Sequence, residues 1–287
     1  MKIVYAFFIG VILLSFYPLK LCASPSSLPL PSISKWLVYY GNEEKPSSFN
    51  HYDLVVLDME YSPPFKYLIN RETVLLSYLS LGEVSSNRSY FHFLKDLRLL
   101  LEENPFWPGS YFIDTRRREW KDFLIETLIP IILQKGYKGL FLDTLDNPAF
   151  LEDKSPKKYF GMSKSSIELV KTIRFHFPKI FIMVNRAYEI LPEIASDIDL
   201  ELAESLYTDY HFKEKTYFKN SLTLYDEQVA FLKDIQKKNP HLKLFSLDYW
   251  HPEDRKEIMK IYEKEEKNGF IPYVSDISLN KITPKEG

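Results

Sequence analysis

Short runs of consecutive apolar residues recur along the chain, and polar or amphipathic stretches separate them. The runs are WLVYYG (36–41), LVVLDM (54–59), VLLSYLSLGE (74–83), GLFLDT (139–144), IFIMVN (180–185), LELAES (200–205), LKLFSLDY (242–249) and FIPYVSD (270–276). Runs without polar alternation suit strands buried on both faces, as in a parallel sheet. The intervening stretches carry apolar residues at helical spacing. REWKDFLIETLIPIILQKG (118–136) closes on Gly136, and SSIELVKTIRFHF (165–177) opens with Ser165 and Glu168 at capping-box spacing. LYDEQVAFLKDIQKKN (224–239) and PEDRKEIMKIYEKEEKN (252–268) both end in basic residues, which favour a helix C-terminus. Strand alternating with helix predicts βαβ units. Eight candidate strands predict a single α/β domain, a (β/α)8 TIM barrel over residues 36–283 whose last helix is short or missing. An open doubly wound sheet is the alternative, but no glycine-rich phosphate loop accompanies it.

Catalytic groups of such barrels sit at the C-terminal ends of the strands, and this chain places polar residues there repeatedly. Asp58 ends the second run, Ser80 and Glu83 the third, Asp143 the fourth, Asn185 the fifth, Glu204 the sixth, Asp248 and Tyr249 the seventh and Asp276 the eighth. Any one of them could simply start a turn. Their recurrence would crowd carboxylates into one cleft and drive their pKa values apart, which acid/base chemistry requires. In GLFLDTLDNP (139–148), Asp143 ends a wholly apolar strand, whereas Asp146 opens the loop and suits a turn or supporting role. Glu201 and Glu204 fall on opposite faces of a period-two strand; Glu204, nearer the C-terminal end, is the one expected to face the lumen.

The composition excludes some partners. The 287 residues carry 37 basic and 39 acidic side chains, a formal net charge of -2, so no basic excess points to nucleic acid. Aromatics reach 16%, enough for a large core and for sugar-stacking platforms, with Trp107, Tyr111 and Trp250 in loop-like contexts. The six histidines are scattered without ligand spacing, and His211 and His251 suit surface or capping roles; no metal or other cofactor is called for.

The N-terminus reads separately. Lys2, an apolar run from Ile3 to Tyr17 and a small-residue site near Ala23 or Ser24 predict a signal peptide over 1–24, followed by a Pro/Ser-rich linker over 25–35. The apolar run falls short of the roughly 20 residues of a spanning helix. No stable membrane insertion is therefore expected after cleavage, and the mature protein is expected to be secreted or periplasmic. Cys22, the one cysteine, lies in this segment, and a lipoprotein anchored through it is the alternative.

LSYLSLGEVS (76–85), WPGSYFIDTRRREWKDFL (107–124), GYKGLFLDTLDNP (136–148), VNRAYEIL (184–191), LELAESLYTDY (200–210), FSLDYW (245–250) and GFIPYVSDISLNKI (269–282) are similar, in order, to stretches of one family. The chain resembles the endo-α-1,4-polygalactosaminidase-related barrels of glycoside hydrolase family 114. The resemblance implies a hydrolase of galactosamine-containing polysaccharide and carries the catalytic pair onto Asp143 and Glu204. The chain departs from the family at Arg186, where Gly usually follows the Asn, and at Asp199-Leu200-Glu201, where Asp-Gly is usual.

Glycosidic hydrolysis needs a carboxylic acid to protonate the leaving oxygen and a second carboxylate as nucleophile or base. Asp143 and Glu204 would supply the pair. Asp58, Ser80, Glu83, Asn185, Asp248 and Tyr249 would hold sugar hydroxyls or tune it, and Trp107 and Trp250 would stack on sugar faces. A non-catalytic polysaccharide-binding barrel and a metal-dependent deacetylase are the alternatives.

Overall fold

The computed structural model describes residues 29–61, 63–65 and 72–285. Its eight-stranded parallel sheet consists of β1 (Trp36–Tyr39), β2 (Leu54–Asp58), β3 (Val74–Ser80), β4 (Gly139–Asp143), β5 (Phe181–Asn185), β6 (Leu200–Glu204), β7 (Lys243–Tyr249) and β8 (Ile271–Ser275), in that spatial order. Each strand coincides with one of the eight apolar runs. The sheet curls into a (β/α)8 barrel. Its two edges meet where Trp36 Nε1 donates to the Ile271 carbonyl at 2.9 Å and packs edge-on against Phe245 and Tyr273. These three buried rings fill the barrel floor.

The segment before β1 is tied to that floor. Leu30 and Ile33 pack on the core, and Asp53 Oδ2 accepts from Ser34 N (2.7 Å), Ser34 Oγ (3.0 Å) and Lys35 N (2.9 Å). The predicted signal peptide, Cys22 and the first linker residues lie outside the described residues. No helix of the described residues is long and apolar enough to cross a membrane. After β8 the described chain runs to Lys285 without a helix, as the sequence predicts.

The helical stretches form with shifted boundaries. Residues 118–134 are helical throughout, with a π turn over Leu124–Leu128. Pro130 follows at once and cannot donate a backbone hydrogen bond, a common reason for such a wider turn. Helix α1 (Met162–His176) starts three residues before the expected Ser165. Its first turn is capped from outside, because the Glu152 carboxylate accepts from Gly161 N (2.8 Å) and Ser163 N (2.9 Å). Ser165 instead lies inside the helix and bonds back to the Met162 carbonyl. Helices α2 (Leu222–Lys238) and α3 (Arg255–Lys267) are capped by Ser221, which accepts from Leu224 N, and Asp254, which accepts from Glu257 N.

Two additions were not expected from the sequence. The run at 74–83 splits: β3 stops at Ser80, and Glu83–Ser85 joins a three-stranded antiparallel sheet with Leu100–Glu103 and Ser110–Ile113. Thr208–His211 and Thr216–Lys219 form a hairpin directly after β6. The split occurs at Gly82, where a Cβ would sit 2.1 Å from the Thr144 carbonyl. Only glycine permits that approach.

Carboxyls are also buried away from the barrel mouth. On β7, Leu247 and Tyr249 face the mouth, so period-two alternation turns Asp248 outward, towards α3. There Asp248 Oδ1 accepts from Tyr207 N (2.8 Å) and Thr208 N (2.6 Å), while Oδ2 finds no partner among the described residues and the fully buried Glu265 has the Tyr225 phenol beside it, short of a well-formed hydrogen bond. Burial raises both groups, and Asp248 raises Glu265 further. A carboxyl whose folded pKa lies above its unfolded value gives full stability below the unfolded value and loses it as pH rises through the folded one. The melting temperature is therefore expected to fall from mildly acidic to mildly alkaline pH. Glu265→Gln, which cannot ionise, should flatten that slope by roughly 2–4 °C per kcal/mol recovered. Calorimetric melts of both proteins across this range check it; equal slopes would mean that the pair does not hold a proton when folded.

Candidate active site

The barrel mouth opens into a cleft of about 640 Å³, within the usual size of small-ligand sites. Six strands contribute the last inward side chains or their immediate successors: Tyr40, Tyr78, Asp143, Asn185, Glu204 and Tyr249 all line it. Period-two alternation explains the set, because each is in phase with the apolar residues filling the barrel below.

Asp143 and Glu204 stand on β4 and β6, with β5 between them. Asn185, at the end of β5, donates from Nδ2 to Asp143 Oδ1 (3.0 Å) and to Glu204 Oε2 (2.6 Å). Each carboxylate receives a second, phenolic donor. Tyr78 donates to Asp143 Oδ2 at 2.8 Å, and Tyr249 donates to Glu204 Oε1. Burial and the nearby Asp143 push Glu204 above the ordinary carboxylate range, although the donors Tyr249 and Asn185 and the Arg186 charge oppose the rise. Burial likewise raises Glu83, and burial together with Asp143 raises Asp146.

The chain leaves the three central strands in the same way. Thr144 (φ 61°), Arg186 (φ 56°) and Ser205 (φ 55°) directly follow Asp143, Asn185 and Glu204, and all are left-handed. Such a conformation costs about 1 kcal/mol or more outside glycine. At Thr144 local bonds offset that cost: its Oγ1 accepts from Gly82 N (2.9 Å) and donates to the Asp143 carbonyl (2.7 Å).

The other sequence candidates divide. Glu83 lines the cleft and accepts from Asn104 (2.7 Å) and Asn147 (2.9 Å). Trp107 lines it from the tip of the Leu100–Ile113 hairpin and meets Phe212 of the other hairpin edge-on, ring centroids 5.0 Å apart. Asp58 is held away from the lining by a bidentate pair with Arg88 (both 2.7 Å), whose guanidinium lies 5.8 Å from the Tyr78 ring. Asp58 is thus linked to Asp143 through Arg88 and Tyr78. Ser80 lies behind the lining, donating to the Glu83 carbonyl. Asp248 faces outward, as described above. Trp250 packs beside Tyr217 and bonds Asp254, off the cleft. Glu201 is fully buried on the outer face of β6, opposite in phase to Glu204. Sequence reasoning missed Tyr40, Tyr78, Asn104, Asn147, Asp209, Tyr210 and Phe212. The strand-end rule could have found Tyr40 and Tyr78 by counting in steps of two; Asn147 opens a helix and the others sit on the hairpins, without a periodic signal.

The profile of glycoside-hydrolase family GH114 matches residues 20–286. An uncharacterised protein of Thermotoga maritima is 25% identical over 304 residues, covering 96% of this chain and 92% of its own length. The glycoside hydrolase domain of PelA from Pseudomonas aeruginosa superposes with a TM-score of 0.78 at 21% identity, over 88% of this chain and 99% of that one. Ega3 of Aspergillus fumigatus, solved in complex with galactosamine, superposes with a TM-score of 0.66 at 15% identity, over 90% of this chain and 97% of its own.

The donors around Glu204 can be tested without a substrate. Tyr249→Phe and Asn185→Ala each remove a hydrogen bond that favours the charged carboxylate, so each should raise the Glu204 pKa by about one unit, the worth of one such bond. Carboxyl-carbon NMR titration reads the midpoint. A midpoint that moves down or stays put in both variants would contradict the hydrogen-bonding scheme.

Proposed function

The chain belongs to glycoside-hydrolase family GH114, and from that premise we propose that it hydrolyses galactosamine-containing polysaccharide through Asp143 and Glu204, in the manner of an endo-α-1,4-polygalactosaminidase. The observation carrying this reading is the single Asn185 amide bridging the two carboxyls at the base of the cleft. Ega3, a neighbour in fold, was solved with galactosamine bound, and five carboxyl side chains line this cleft, a setting suited to aminosugars.

Glu204 suits the general acid. Burial and the nearby Asp143 bias its carboxyl towards the protonated form, and it can pass that proton to the glycosidic oxygen as the bond to the anomeric carbon breaks. Asp143, accepting from Tyr78 and Asn185, is oriented to attack that carbon and form a glycosyl ester. Glu204, now ionised, then takes a proton from water as the water displaces Asp143. The spacing supports retention. One Asn185 amide nitrogen reaches an oxygen of each carboxyl, at 3.0 and 2.6 Å, so the two groups face each other closely, as direct attack by Asp143 requires.

The N-terminal segment 1–24 fits the same reading as an export signal, because such a polymer lies outside the cell. Intact-mass analysis of exported protein is expected to find it removed.

Asp143→Asn and Glu204→Gln should each lower turnover on galactosamine polymers by about two orders of magnitude or more while the melting temperature stays near that of the wild type. Reducing-end assays measure the loss, and NMR of the first product should show the α anomer from an α-linked substrate. Wild-type rates in either variant would remove that residue from the mechanism, and a β product would replace Asp143 attack with direct attack by water.

A further inference from the structure

Arg186 is the one cationic side chain lining the cleft among the described residues; the other charged side chains there, Glu83, Asp143, Asp146, Glu204 and Asp209, are all acidic. Its position is fixed by the backbone. Arg186 follows the bridging Asn185, and its N–H donates to the Leu202 carbonyl at 2.9 Å, which pins its Cα beside the catalytic pair. Its side chain is exposed to the cleft, with the guanidinium 5.9 Å from the Tyr188 ring. None of the cleft carboxylates comes within ion-pair distance of it, and among the described residues its side-chain N–H groups have no hydrogen-bond acceptor. The charge nevertheless reaches Asp146 and Glu204, both of which it holds lower than burial alone would.

A guanidinium presents a rigid fork of donors and cannot give up its charge. In a partly desolvated cleft it attracts a carbonyl oxygen and repels an ammonium group. Galactosamine units of a polymer differ in just this respect. The N-acetylated sugar offers an uncharged acetamido carbonyl, whereas the deacetylated sugar carries an ammonium. The acidic side chains elsewhere in the cleft have the opposite preference.

We propose that Arg186 is a specificity-determining residue that makes the subsite beside the catalytic pair accept an N-acetylated galactosamine and reject a deacetylated one. The proposal rests on the reading of the cleft as a galactosamine-polymer site, and it divides that site. The sugar over Arg186 is acetylated, and ammonium groups are received only where the carboxylates lie. The preferred substrate is then a partly acetylated polymer.

The test is calorimetric binding to protein carrying Glu204→Gln, which separates recognition from turnover. Two α-1,4-linked oligomers of equal length are compared, one fully N-acetylated and one fully deacetylated, with Arg186 intact or replaced by Gln, Gly or Lys. Glycine suits the left-handed backbone, so it guards against a folding artefact at this position. The affinity ratio of acetylated over deacetylated oligomer should fall by about tenfold with Gln and with Gly, the scale of one charge-assisted hydrogen bond. It should fall less with Lys, which keeps the charge and loses the fork. A ratio unchanged by Gln and Gly, or binding of neither oligomer, overturns the proposal. Release of reducing ends by the otherwise unaltered protein is followed in parallel. If no polymer is cut although the affinity ratio shifts, the hydrolase reading fails and the role of Arg186 stands.

Discussion

The amide of Asn185 lies between two carboxyl groups that would otherwise repel one another across the barrel mouth. It can do so because β5 runs between β4 and β6 and ends level with both, so one short side chain reaches each neighbour. Burying carboxyls together is costly unless hydrogen bonds compensate. The compensation here comes from the ends of other strands, Tyr78 on β3 and Tyr249 on β7. The chemistry of the mouth therefore depends on the register of five adjacent strands. A slip of one residue in any of them would turn its contribution outward and leave a carboxyl short of a donor.

Period-two alternation also separates carboxyls that look alike in the sequence. Glu204 and Glu201 share β6, and Asp248 neighbours Tyr249 on β7. In each case one side chain enters the cleft and the other is driven into the layer between sheet and helices. The outward set is an energetic liability once ionised, since both oxygens of Glu201 and one of Asp248 have no hydrogen-bond partner among the described residues, and burial raises both groups. The same physical cause, desolvation, thus raises Glu204 on one face of the sheet and leaves a pH-dependent weakness on the other.

All eight strands were legible in the sequence because a strand buried on both faces must be apolar along its length. The strand-end rule then pointed to Asp143, Asn185, Glu204 and Tyr249, all of which the cleft contains. It failed to separate these from Asp58, Ser80 and Asp248, because it marks the end of a strand and is silent about phase and partners. Phase alone would have turned Asp248 away. The withdrawal of Asp58 needed Arg88, thirty positions along the chain, which no local pattern connects to it. The two accessory sheets were illegible for another reason. Their strands are only three or four residues long and half-exposed, so neither an apolar run nor a clean alternation marks them.

The accessory sheets nonetheless shape what the cleft can receive. Rigid strand ends hold the carboxyls in fixed positions, whereas loops and hairpins tolerate change and more often carry recognition. Trp107 and Phe212 come from the two hairpins and meet over the cleft, offering apolar ring surface on which a sugar could stack. Asp209 enters on the second hairpin, its Oδ1 accepting from Ser205 Oγ (2.8 Å) and from the Tyr210 backbone (2.7 Å). Arg186 belongs with this group, although it adjoins a strand end. It begins the loop after β5, and its left-handed backbone is one that glycine would adopt without strain. A side chain kept where glycine fits better incurs a conformational cost, and the exposed guanidinium, 5.9 Å from the Tyr188 ring and without an ion pair among the described residues, offsets little of it within the protein. Recognition of a ligand at the mouth of the cleft is the compensation that the geometry offers.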